Sequence, residues 1–304
     1  MPFLYKIISE HTPQGPREAA QVTGYEGRLS DLFVPEKIDA LPVRSIAGHA
    51  FEHRKELRRV FLPESLAALR AFAFYGCSAL TSMELYNTTD DYYDGVIRQC
   101  LSLRCVTVHC VRPDNYVIVR EMLRDIDGTL QFRLLTAEGE IRLTFPEYVN
   151  EAKEDTMARA IHFSIEGAGM AYRECVGKRA LDLAGYDRLL GRLTDYDFDA
   201  AAQIALGRLS CPAGLSEKSA AGYEEFLRAG DGKTLAWVIR SADGPERREY
   251  LALLTSRQLI GRAALEEGLD LASSLGETGI CAILMEYRRQ VFPSDAPEIF
   301  SLDW

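Results

Sequence analysis

Residues 57–85 read LRRVFLPESLAALRAFAFYGCSALTSMEL, and the spacing of apolar residues inside this stretch decides the architecture. Leu57, Val60 and Leu62 at its start return as Leu80, Met83 and Leu85 at its end, 23 residues later. The same interval carries these columns on to Leu103, Val106 and Val108, and it also aligns Ile46 with Leu69 and Tyr92, and Phe51 with Phe74 and Ile97. A fixed period of this length predicts a solenoid, because one such unit is too short to bury its own apolar face and does so only against the next. Upstream, Leu29, Leu32 and Val34 read as the tail of an earlier unit. From there the interval stretches to 28 residues around Pro42 and Val43, which predicts a surface loop at that insert.

Within a unit, Val60 with Leu62 and Val106 with Val108 alternate as a short strand with one buried face. The pairs Ala50-Phe51 and Ala73-Phe74 supply small and large residues to the opposite, convex wall, and Cys77 and Cys100 fall at one repeat position as buried small hydrophobes. The residues between the buried ones then face outward on the concave side. One column runs Asp31, Arg59, Ser82, Cys105; the next Phe33, Phe61, Glu84, Thr107; a third adds Tyr86 and His109. Phe33, Arg59, Phe61, Glu84, Tyr86, Thr107 and His109 are the candidate partner-binding residues, since exposed adjacent rings beside an arginine have the composition of an interface hot spot. An alternative stays open, in which Phe3 to Ile8 folds over the two phenylalanines as a cap. Four strands give a face only about 14 Å across, less than a standard interface needs, so the partner is a peptide or the helical half adds a second surface.

The strings GYEGRLSDLFVP (24–35), PVRSIAGHAF (42–51) and the opening stretch resemble the bacterial leucine-rich repeats of the BspA type over about residues 23 to 110. The resemblance implies a right-handed solenoid that binds proteins or surfaces without catalysis. Many members of that family are exported and carry longer arrays.

After Pro113 the pattern changes. Tyr116 to Ile126 predicts a short helix ended by Asp127-Gly128, and Leu130 to Leu135 with Glu140 to Phe145 predicts a hairpin that caps the solenoid. From about Asp182 the period is helical: Tyr186, Leu189, Leu190 and Leu193 share one face, Phe198, Ala201, Ala205 and Leu209 another, Tyr223, Phe226 and Leu227 a third. Breaks fall at Cys211-Pro212, at 230–232 and at Asp243-Gly244-Pro245, and Thr255 with Gln258 suggests a capping box. The last stretch, LDLASSLGETGICAILMEY, resembles an ankyrin-type helical hairpin in the spacing of Leu269, Ala272, Gly276, Ile280 and Leu284. The expected fold is therefore α+β, a short leucine-rich-repeat solenoid followed by a helical domain. Its parts are 1–110 as the solenoid with an N-terminal cap, 111–181 as a capping connector, and 182–304 as the helical domain.

Hydrophobic residues at 47% and charged residues at 26% allow a sizeable core, and no run approaches the roughly 20 apolar residues of a membrane span. The amino-terminal run is broken by Lys6 without a small-residue cleavage site, so no secretory leader is expected. Seven cysteines at irregular spacing fit reduced thiols, which together with the missing leader predicts a cytoplasmic protein. Of the formal net charge of −10, residues 111–304 carry −9, which disfavours nucleic acid and anionic membranes. A protein or peptide is the expected partner.

Several strings invite chemistry. Gly230-Asp231-Gly232-Lys233-Thr234 ends like a phosphate loop but lacks the first glycine and follows a helix, so it reads as a turn. Gly167-Ala168-Gly169 has two glycines of a dinucleotide loop, with Tyr172 at the third position, and reads as a kink in a connector. Cys100, Cys105, His109 and Cys110 offer zinc-type ligands, yet only one pair would share a strand face. The five histidines, His11, His49, His53, His109 and His162, pair with no evident nucleophile, and Asp182, Asp187, Asp195, Asp197 and Asp199 sit where helix capping is expected. No catalytic set, metal site or cofactor is expected. Phe145-Pro146-Glu147-Tyr148 and Tyr172-Arg173-Glu174-Cys175 are distinctive but suggest only packing. The alternative to a binding scaffold is an enzyme or ligand sensor with a pocket where solenoid and helices meet, using Arg173, Glu174, His162 or Asp187.

Overall fold

The computed structural model describes residues 2–12, 15–155, 160–193, 197–241 and 244–293. Asp195 and Asp243 lie outside the described residues, and of His11 and His162 only the backbone is described. The chain divides into two compact units, Met1–Ile204 with Cys211–Leu215, and Ala205–Ser210 with Ser216–Trp304.

The first unit is a β-solenoid of about five turns over residues 20–135. Its strands are β1 (Phe3–Thr12), β2 (Gly15–Tyr25), β3 (Asp31–Phe33), β4 (Lys37–Ile38), β5 (Leu41–Ile46), β6 (Arg59–Phe61), β7 (Ala68–Leu69), β8 (Ser82–Tyr86), β9 (Asp91–Tyr92), β10 (Cys105–His109), β11 (Leu130–Thr136) and β12 (Gly139–Phe145), with helix α1 (Val117–Asp125) before β11. Two sheets form the walls. One has the order β1-β2-β5-β7-β9 with β4 alongside β5; the other has the order β12-β11-β10-β8-β6-β3. Successive coils pair in parallel and in register, so that Val60 stands on Met83, Met83 on Val106, and Val106 on Phe132.

The 23-residue columns line the core. Val60, Met83 and Val106, and Leu62, Leu85 and Val108, are buried, as are Leu57, Leu80 and Leu103. On the convex side Phe51 stacks on Phe74 at 5.2 Å between ring centroids and 6° between planes. Amides of one coil donate to carbonyls of the next: Phe51 N–H to Ala73 at 2.8 Å, and Phe74 N–H to Val96 at 2.9 Å. The thiols of Cys77 and Cys100 join this ladder by donating back to the carbonyls of Phe51 and Phe74, at 3.1 and 3.2 Å.

On the convex side the coil through Gly95 and Ile97 has no further coil against it, and a carboxylate takes that place. Gly95 N–H and Ile97 N–H, 23 residues beyond Phe72 and Phe74, donate to the two oxygens of Asp125 at 3.1 and 3.3 Å. Tyr92 donates its hydroxyl to the same group at 2.7 Å. The carboxylate stands at the end of α1, and burial holds its pKa above the ordinary carboxyl range despite these bonds and the nearby Arg98.

The insert at Pro42 and Val43 is not a surface loop. Asp39 and Ala40, both with positive φ (48° and 70°), make a two-residue turn between β4 and β5, and Ile38 and Val43 are wholly buried. The extra residues lengthen a core strand, which is why the interval grows without losing the repeat. Phe3 to Ile8 likewise does not cover Phe33 and Phe61; it lies in β1, paired antiparallel with β2 at the end of the other sheet.

Beyond β12 come a two-stranded ribbon, β13 (Val149–Asp155) with β14 (Ala160–Glu166), and helices α2 (Gly169–Glu174) and α3 (Leu183–Arg188), a 3-10 turn at Leu189–Arg192, and α4 (Phe198–Ser210). The helical region continues as α5 (Glu217–Ala229), α6 (Asp231–Ser241), α7 (Gly244–Ser256), α8 (Arg262–Ser274) and α9 (Thr278–Val291). In the second unit, Leu235, Val238, Leu265, Leu269, Ala272, Ile280 and Leu284 are buried where α6, α8 and α9 pack. The expected capping box at Thr255 is absent: Thr255 lies in the last turn of α7 and its hydroxyl donates back to Leu251 O at 2.8 Å. Gly261 precedes α8 instead, and its amide is held by Asp231 at 2.8 Å.

Candidate protein-binding face

The outward side chains of β3, β6, β8 and β10 form one surface because parallel strands in register keep like positions on like faces. Phe33 and Phe61 are adjacent rungs, stacked at 4.3 Å and 5°, and Phe33 is 59% exposed. Beside them Arg59 grips Asp31 through two bonds, at 2.9 and 2.5 Å, which holds the Asp31 carboxyl below its usual range. Farther along, His109 bonds Glu84 at 2.7 Å and stacks on Tyr86 at 4.6 Å, with Thr107 half-buried between. Desolvation, and then the carboxylates of Glu64, Glu36 and Glu84, raise the Tyr86 phenol, so this rim of the face is acidic. Phe33, Arg59, Phe61, Glu84, Tyr86, Thr107 and His109 are therefore brought together on one wall.

Sequence reasoning missed the far part of that wall. The hairpin adds two more strands, so the sheet has six rather than four, and the width at ~4.8 Å per strand is about 24 Å rather than about 14 Å. Arg133, Leu135 and Glu140 continue the columns, with Arg133 binding Glu140 through two bonds at 2.8 and 3.0 Å. The face then closes: Gln131, Arg142 and Thr144 are buried. At the edge of β12, the Tyr186 hydroxyl donates to Thr144 O at 2.6 Å and accepts from Thr144 N–H at 2.8 Å. The one signal for this extension was the alternation of 130–135, whose step of 26 residues from Val106 to Phe132 departs from the period of 23.

Two strings without an assigned role turn out to be halves of one clasp. The Arg173 guanidinium donates to the carbonyls of Pro146 and Gly169 and to those of Ile126, Asp127 and Gly128, at 2.5 to 3.2 Å, and lies 4.7 Å over the Tyr148 ring. Its burial pushes the pKa down to about 10. Tyr172, next in the chain, packs edge-on to Tyr186, which does the same to Phe145. Gly169 belongs to this clasp, because a Cβ there would run into the Pro146 and Glu147 carbonyls. The Gly167-Ala168-Gly169 string thus serves close backbone approach, and Arg173 is committed to carbonyls rather than to a substrate.

The other strings have structural roles too. Asp231 starts α6 and spans the amides of Gly232 and Gly261, at 2.7 and 2.8 Å, so a carboxylate already sits where a phosphate loop would take its anion. Asp182 caps α3 by accepting from Gly185 N–H at 2.7 Å, and Asp199 lies in the first turn of α4. Cys110 is raised to about 11 by burial. Among the described residues no group of three or more His, Cys, Asp or Glu side chains is placed to hold a metal, and no helix is long and apolar enough to cross a membrane.

The family model described as a BspA type leucine rich repeat region (6 copies) matches residues 30–115. Among solved structures, a leucine-rich repeat protein from Bacteroides ovatus is 13% identical, over 36% of this chain and 48% of its own, with a TM-score of 0.22. The T. pallidum leucine rich repeat protein is 22% identical, over 35% of this chain and 68% of its own, with a TM-score of 0.24. The chain spans about half the length of the first of these, and no curated protein matches it. Residues 30–115, with their register of 23 and their stacked strands, are a BspA-type leucine-rich-repeat region.

Proposed function

We propose that this protein is a non-enzymatic scaffold that holds a protein or peptide on the concave face of its repeats. The observation that carries the reading is the Phe33–Phe61 stack, which lies outside the core with Phe33 59% exposed beside the Asp31–Arg59 pair. Rings that contribute little to the fold but present apolar area to solvent gain most when a partner covers them. The open wall from β3 to β11 is about 19 Å wide and about 17 Å along the strands, roughly 300 Å² against about 800 Å² for each partner of a standard interface. A peptide fits that footprint; a folded partner would need contact beyond the repeat face. The seven cysteines, none of them in a disulfide, favour a reducing compartment, and the cytoplasm is the proposed location.

The test is affinity capture from a lysate of the native cell with wild type and the Phe33→Ala, Phe61→Ala double variant. The double variant should keep its circular dichroism and lose about 1–2 kcal/mol of stability, as expected for one exposed and one half-buried ring outside the core, and lose the captured partner. Retention of the partner by a folded double variant would refute the concave-face reading.

A further inference from the structure

The two ends of the solenoid are finished differently. Toward the carboxyl end side chains meet the terminal backbone: Asp125 takes the Gly95 and Ile97 amides beyond β9, and Tyr186 takes both backbone groups of Thr144 on β12. At the amino end the outermost strand is β1, ten residues long and, among the described residues, bonded on one side alone, to β2. At ~3.4 Å per residue that edge runs about 34 Å. Leu4 and Ile7 on it are 45% and 56% exposed. A long edge of unpaired N–H and C=O groups is satisfied along its whole length by one kind of ligand, another extended backbone.

We propose that β1 pairs antiparallel with β1 of a second copy of this chain, about a two-fold axis at Ile8. The sequence of the strand is complementary to itself in that register. Residues whose numbers sum to 16 face each other, so Lys6 lies opposite Glu10 of the other copy, and Glu10 opposite its Lys6. Directly opposed residues share a face, so these two ion pairs flank Ile8 on the axis. Within its own chain Glu10 already bonds Arg44 at 2.8 Å, and its carboxylate then bridges Arg44 and the incoming lysine. An edge lysine normally repels indiscriminate strand addition, and here a carboxylate from an identical strand neutralises it. The two-fold axis also closes the assembly at two copies, because each β1 is consumed by the other.

Sedimentation velocity on the full chain, with amide exchange read on the same samples, tests the pairing. Wild type should sediment at twice its 34.0 kDa mass, with the amides of β1 protected beyond what dissociated chains show. Lys6→Glu, which sets carboxylate against carboxylate, and Ile7→Lys, which puts a charge on the edge, should each halve the mass with circular dichroism unchanged. A wild type that stays at one mass at its highest soluble concentration overturns the proposal. So does a dimer that survives both substitutions.

Discussion

Replacing Asp125 by alanine tests the way the solenoid ends. Its side chain is 3% exposed and takes three donors, Gly95 N–H, Ile97 N–H and the Tyr92 hydroxyl, at 3.1, 3.3 and 2.7 Å. A buried donor left without a partner costs about 1–3 kcal/mol, and water entering at the end of the stack recovers some of it, so Asp125→Ala should lose about 3–5 kcal/mol. Asp125→Asn keeps one acceptor oxygen and removes a buried charge, so its loss should be smaller, about 1–2 kcal/mol. Amide exchange reads the effect locally. In the alanine variant the Gly95 and Ile97 amides should lose about 100-fold or more in protection, while the Phe51 amide, two coils back, changes far less. The pH dependence has an unusual sign. Because burial raises the Asp125 pKa above its unfolded value, the folded protein binds the proton more tightly in the window between the two. Asp125 thus favours folding most fully below its unfolded pKa, and that contribution fades as pH rises through the folded one; the asparagine variant should lack this decline. Equal protection of Gly95 and Ile97 in wild type and Asp125→Ala would refute the reasoning.

Two further outcomes follow from bonds described above. Arg173→Lys keeps a cation but offers three donors without the planar fork to five carbonyls, and urea denaturation should report a loss of about 1–3 kcal/mol. Glu140 has the opposite pH sign to Asp125: the Arg133 hydrogen bond lowers its pKa, so its contribution is complete above the unfolded carboxyl value and disappears as pH falls through the folded one. Melting of Glu140→Gln against wild type should therefore differ most near neutrality and converge in acid.

The solenoid was legible in the sequence because its cause is local and periodic: a residue every 23 positions meets the same neighbours, so Ile46 to Val108 declares the core by itself. The outward columns follow from alternation once the inward residues are known, which is how Phe33, Phe61 and Tyr86 could be named in advance. The insert at Pro42 and Val43 was misread because a longer interval looks like a loop, whereas the Asp39-Ala40 turn returns the chain directly into a strand. Thr255 was misread because a helix end and a helix start use similar residues, and here the hydroxyl bonds backward. The clasp at Arg173 joins residues 27 and 45–47 positions apart, and the Asp125 cap joins residues 28–33 apart with no repetition to announce them. No period or pattern in one sequence encodes such single meetings.

That carboxylate has a consequence for evolution and engineering. An open stack of identical coils has no intrinsic length, since every new coil presents the amides that the following one would satisfy. Here the terminator is a side chain imitating the missing backbone, and it recognises only the chemistry of the final rung. Duplicating or excising 23 residues upstream leaves that recognition intact, so the array can lengthen or shorten while the same α1 and β11–β12 segment brings it to a stop.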